Sequence, residues 1–174
     1  VEGEWRVTRR RWPEGMDQWT HFLHDASNNA VADDERVGAP RHMQWMARPL
    51  YCRSHEIDSS ISAAVSGGGR LFYILDEGLS GIIGPGLPQQ WSLVARDAFS
   101  GVRLWKKPIP EWGWKQWKNM PRKRKGWRRM HGHRLYSPAV LPRRLVAVGD
   151  RVFVKVDNTR VDIPSPAVGV VSIV

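Results

Sequence analysis

The stretch Trp91-Ser92-Leu93-Val94-Ala95-Arg96-Asp97-Ala98-Phe99-Ser100-Gly101-Val102-Arg103-Leu104-Trp105 decides how the chain is read. Its first part, 91–96, is dominated by aromatic, aliphatic and β-branched side chains and reads as a strand. Asp, Ser and Gly between 97 and 101 supply a tight turn: the carboxylate accepts backbone N–H groups and glycine takes a left-handed conformation. Residues 102–106 then read as the returning strand, stopped by Pro108 and Pro110. Going back along the chain, a loop carries Gly81, Gly84, Pro85, Gly86 and Pro88. Before it, 70–75 (RLFYIL) is another strand, preceded by the turn Gly67-Gly68-Gly69 and an apolar-leaning run at 61–65. Four short strands in roughly fifty residues, joined by tight turns, predict an up-and-down antiparallel sheet. Such a sheet exposes two faces and two edges and needs neighbours.

The pattern recurs in part. Leu145-Val146-Ala147-Val148-Gly149-Asp150-Arg151-Val152-Phe153-Val154 repeats the order strand, glycine turn, arginine, strand seen from Ala63 through Gly69-Arg70 to Tyr73. Upstream, Met43-Gln44-Trp45 with Pro49 echoes Leu104-Trp105 with Pro108, so Trp45 is expected to close an earlier unit as Trp105 closes the middle one. Repeated four-stranded sheets stack radially in β-propellers. The predicted fold class is therefore all-β: a partial β-propeller of about two to three four-stranded blades with a long irregular insertion. The predicted organisation is an N-terminal partial blade and irregular segment at 1–58, a complete blade at 59–110, a basic Trp-rich insertion at 111–142 and an incomplete blade at 143–174. Within the first part, residues 4–11 read as a strand. Residues 17–26 (DQWTHFLHDA) read as a helical turn capped by Asp17 or as an irregular loop. The apolar tail, 168–174, reads as a strand. A closed propeller needs about four to eight blades, so a piece of a longer protein is expected.

The 174 residues suit one domain with a real core. Ten tryptophans, where about three are usual for this length, imply a repeated structural role or a stacking surface. The formal charge is +10, but nine Lys or Arg and no acid lie between Lys115 and Arg134; removing those nine from the 27 leaves 18 basic residues against 17 acidic ones. The chain is thus a nearly neutral domain carrying one basic segment. A single cysteine, Cys52, excludes an intrachain disulfide and a multi-thiolate metal site. No run of about 18 apolar residues signals a transmembrane segment.

The residues from Leu93 to Trp105 resemble the repeat of quinoprotein-like β-propellers, the pyrroloquinoline quinone (PQQ) repeat: a strand, Asp-Ala-x-Thr-Gly, then a strand ending in Trp. Ser100 stands where Thr is common. Asp97, Gly101 and Trp105 are the motif positions, with the tryptophan expected to pack between blades. Trp19 to Ala26, Ser66 to Gly78 and Leu141 to Phe153 carry a wider likeness to exported bacterial proteins described as PQQ-binding-like. The resemblance implies the fold, a periplasmic or extracytoplasmic location, and a protein or cell-envelope component as partner. It implies an activity poorly, because the same repeat serves quinone-dependent alcohol dehydrogenases, outer-membrane assembly lipoproteins and proteins without assigned chemistry. PQQ with calcium enters by resemblance only. The paired-cysteine disulfide of those dehydrogenases cannot form here, and no stretch matches their calcium-holding or catalytic acids.

Three constellations carry candidate chemistry. His21, His24 and Asp25 form an HxxHD cluster, followed by His42 and by His55-Glu56; imidazole with carboxylate suits a transition metal, whereas hydrogen bonding to loop backbone is the structural alternative. Cys52 with His55 suggests a thiol–imidazole pair, but no orienting partner or oxyanion donor can be named. Arg122, Lys123, Arg124, Lys125, Arg128 and Arg129, beside Trp112, Trp114, Trp117 and Trp127, suit a polyanion: cations neutralise phosphates and indoles stack on bases. No RNA- or DNA-binding motif accompanies them, and a solvated insertion between blades, its tryptophans pinning it to the propeller wall, is the alternative. No complete catalytic site assembles. The expected function is a non-catalytic binding or assembly scaffold, with a PQQ-dependent oxidoreductase and nucleic-acid or polyanion binding through 115–134 as alternatives.

Overall fold

The computed structural model describes residues 13–50, 60–78, 89–110, 112, 142–149, 151–156 and 170–173. The strand expected at 4–11, the Cys52–His55 pair and the basic residues from Lys115 to Arg134 lie outside these. The described part is all-β, with two antiparallel sheets and no α-helix. Strands β1 (Ile61–Gly67), β2 (Arg70–Asp76), β3 (Trp91–Asp97) and β4 (Arg103–Pro108) form the first sheet in the order β1-β2-β3-β4, the up-and-down topology that the turn spacing predicts. β1 runs to Gly67 because that residue pairs with Arg70 across a two-residue turn. Gly68 and Gly69 both have positive φ there, which right-handed strand twist favours in such a hairpin. In the second sheet β5 (Leu145–Val148) pairs with β6 (Arg151–Lys155), and a short strand, β7 (Val170–Ile173), lies against β6. The tail strand expected at 168–174 is therefore present.

The two sheets share one core. Val65, Phe72, Ile74, Leu93 and Ala95 of the first pack with Leu145, Ala147, Val152 and Val154 of the second. Tyr73, Leu75 and Val94 form a separate buried cluster on the other face of the first sheet. With both faces covered, β3 is buried at six successive positions rather than alternating.

The two hairpins turn different faces to their common core. In the first sheet Val65↔Phe72 lies two pairs in from the turn pair Gly67↔Arg70, and both residues face the shared core. In the second the corresponding pair is Val146↔Phe153, two in from Val148↔Arg151. It is instead the neighbouring pair Ala147↔Val152 that enters the core. Like units thus meet through unlike faces, and no two-fold axis relates them. Where β1 approaches β5, a β-carbon on Gly67 would stand 2.9 Å from the Gly149 carbonyl oxygen and 3.0 Å from the Ala147 side chain.

β4 is an edge. Its pairing with β3 is interrupted by a bulge opposite Ala95–Arg96, it ends in Pro108, and Arg103, Lys106 and Lys107 stand exposed along it. A bulge, a missing N–H donor and charged side chains each discourage a further strand from adding. No helix among the described residues is long and apolar enough to cross a membrane.

Candidate functional site

Two irregular segments from the N-terminal part seat on the sheets and build the most organised polar surroundings among the described residues. The first is a strap, 17–25. It holds neither a helical turn nor a strand, and of the two readings the sequence allowed it is the loop. Its middle bridges the two sheets. The Ser66 N–H donates to the Trp19 carbonyl (2.6 Å) and the Ala147 N–H donates to the Thr20 carbonyl (2.9 Å). In return the Trp19 N–H donates to Ser66 Oγ, and the Gly68 N–H donates to Gln18 Oε1. Ser66 belongs to β1 and Ala147 to β5, each an edge of its sheet. Strap and edges therefore satisfy one another's backbone groups.

Asp17 and His24 pin the strap. His24 is buried, takes a positive φ and places Nε2 2.6 Å from Asp17 Oδ2. Its ring meets the Trp19 indole edge-on at 5.3 Å. Asp17 also accepts the N–H groups of Gln18 and Asp33. Burial works to raise the Asp17 carboxyl, but these donors and the His24 ring outweigh it and hold it below the usual carboxylate range.

The candidate metal ligands do not converge. His21 Nδ1 lies 2.8 Å from Thr20 Oγ1, His24 is committed to Asp17, and Asp25 accepts the N–H and hydroxyl of Ser27. His24 Nδ1 and Asp25 Oδ2 are 3.9 Å apart. Among the described residues no group of three His, Cys, Asp or Glu is arranged to hold a metal ion.

The second organised region surrounds the turn 97–101. Asp97 Oδ1 accepts the N–H groups of Phe99 and Ser100 and the Ser100 hydroxyl. Ser100 thus performs the bond that a threonine hydroxyl would. The Ser100 N–H and hydroxyl, with the Phe99 N–H, outweigh burial and lower the Asp97 carboxyl. Gly101 has φ 72°, the left-handed region. Trp45 lies across it: the indole Nε1 donates to the Ala98 carbonyl (2.9 Å), and the ring occupies the space where a side chain at 101 would stand. Gln44 Nε2 donates to the Phe99 carbonyl. Trp45 lies on no strand, so it reaches the middle unit as part of an irregular segment and not as the end of a described β-sheet. Trp105 occupies β4, half-buried, with its ring 6.0 Å from Phe72.

Arg96 fastens the same region from inside. It is buried, and its guanidinium donates to the Tyr73 hydroxyl, the Gly101 carbonyl and the Arg48 carbonyl. Sequence reading passed over Arg96; its signal was a lone cation in an otherwise apolar strand. Trp112, beside the basic run, is buried in the shared core, and its Nε1 donates to Ser62 Oγ (3.0 Å), as the alternative of tryptophans pinning the insertion would have it.

Asp17, Asp25, Asp34 and Asp97 are all held below the ordinary carboxyl range. A carboxyl depressed in the folded state contributes stability that is present above its unfolded value and lost as pH falls through its folded value. The melting temperature is therefore expected to be level above about pH 5 and to fall steadily below about pH 4. A melting temperature that holds down to about pH 2 contradicts this.

Comparison with protein-family models, with characterised proteins and with solved structures gives no match.

Proposed function

We propose that the chain is part of a non-catalytic binding and assembly scaffold of the PQQ-repeat propeller type, working outside the cytoplasm on a protein or cell-envelope partner. The observation that carries this reading is the meeting of like hairpins through unlike faces, because such stacking extends from unit to unit and builds a radial array. The seat of Trp45 on the 97–101 turn adds to it, since the indole ties an irregular N-terminal segment to the middle sheet. The polar groups of both organised regions are engaged with backbone and with one another, the pattern of a structural joint.

The direct test is a titration of the chain with PQQ and calcium, followed by tryptophan fluorescence. No saturable quenching at micromolar cofactor is expected. Saturable, stoichiometric quenching would overturn the scaffold reading in favour of a quinone-dependent oxidoreductase.

A second reading is polyanion or nucleic-acid binding through 115–134. What favours it is the run of nine Lys or Arg with no acid between Lys115 and Arg134, interleaved with tryptophans. Affinity for a polyanion would then fall steeply with added salt.

A further inference from the structure

The turn 97–101 with Val102 beside it, and the segment docked on it, carry several exposed apolar side chains. Met43 and Met46 are each 70 % exposed, Val102 is 60 % exposed and Phe99 46 %. They form one neighbourhood. Gln44 is bonded to the Phe99 carbonyl, and Trp45 is bonded to the Ala98 carbonyl and lies on Gly101. The methionines therefore flank an indole seated on the turn that carries Phe99 and Val102. Arg41, Arg48 and Arg103 stand exposed in the same two stretches. The one acid of the turn, Asp97, has its carboxylate committed to Phe99 and Ser100.

We propose that this face docks on an anionic lipid surface, with Met43, Met46, Phe99 and Val102 entering the headgroup–acyl boundary and the arginines meeting lipid phosphates. Shape selects the partner. The exposed apolar side chains lie on a hairpin turn and on the irregular segment bonded to it, and a bilayer accepts apolar groups without demanding a complementary shape. An amphipathic peptide helix needs a groove, and an extended peptide needs an open strand edge. The nearest edge, β4, is closed to addition by its bulge, Pro108 and its lysines. Charge selects the lipid: three exposed guanidinium groups, with the Asp97 carboxylate already engaged, favour an anionic headgroup over a zwitterionic one. Unbranched methionine side chains adapt to an irregular partner, and arginine keeps its charge at the interface while its stem is buried.

The inference rests on the scaffold reading only in taking the protein to be a binder, and it names the envelope component. The test is co-sedimentation of the full chain with vesicles of phosphatidylcholine alone and of phosphatidylcholine mixed with phosphatidylglycerol. Binding to the mixed vesicles is expected, with little binding to the first. The double substitution Met43→Ser with Met46→Ser, and separately Val102→Ser, are expected to weaken binding by about tenfold or more at unchanged melting temperature, since each removes exposed apolar contact. Three results would overturn the proposal: no binding to the mixed vesicles; equal binding to both kinds; or wild-type binding by the serine variants, which would give the lipid to the basic segment alone. An acidic amphipathic peptide that binds where vesicles do not would put a protein in the lipid's place. Quenching by PQQ is a separate outcome, so failure here and failure of the scaffold reading are told apart.

Discussion

Replacing Gly101 with alanine is expected to destabilise the protein by about 2–4 kcal/mol, a large effect for one methyl group. Two costs combine. At φ 72° the backbone is in a region that costs a non-glycine residue about 1 kcal/mol. The added β-carbon would also lie 2.5 Å from the Trp45 ring, well inside contact distance. The indole must leave, and its hydrogen bond to the Ala98 carbonyl goes with it. A double-mutant cycle separates the terms. Trp45→Ala alone is expected to cost about 2 kcal/mol through lost packing and the lost bond. In that background Gly101→Ala should cost only about 1 kcal/mol, the backbone part. Strict additivity of the two substitutions in denaturant unfolding would show that the indole does not rest on this glycine.

The second large effect is expected at Phe72. Its side chain is fully buried at the centre of the core that joins the sheets, and truncation to alanine should cost about 3–5 kcal/mol. The distribution of the loss says more than its size. Because Phe72 packs in the same cluster as Leu145, Ala147, Val152 and Val154, the amides of β5 and β6 should lose hydrogen-exchange protection together with those of β1 to β3. Retained protection in β5 and β6, with loss confined to the first sheet, would mean that the sheets open independently.

The strands were legible because their signals are local. The run 70–75 between glycines, the Asp97-to-Gly101 turn and the repeated glycine–arginine hairpin each fix a strand or its register within a few residues. What the sequence concealed are the contacts between irregular segments and strands. Trp19 and Thr20 sit in a polar stretch without periodicity, yet they bond to β1 and β5. His21 and His24 look like paired ligands by spacing; the loop sends one to Thr20 and the other to Asp17. Arg96 breaks an apolar run for a reason visible only once Tyr73, Gly101 and Arg48 surround it. Such pairings depend on which surfaces meet, and a one-dimensional pattern of apolar spacing holds no record of that.

The strap also has a temporal meaning. The chain emerges from the ribosome N-terminus first, so residues 17–20 are made long before the strands they join. They can bond to Ser66 once β1 exists, but the bond from the Ala147 N–H to the Thr20 carbonyl must wait for nearly the whole described chain to be synthesised. This is a contact of very high order, of the kind that slows folding. Locking the two sheets together thereby becomes a late act of biogenesis, and until then Gln18 and Trp19 cover a β1 edge that would otherwise stay open to a neighbouring nascent chain.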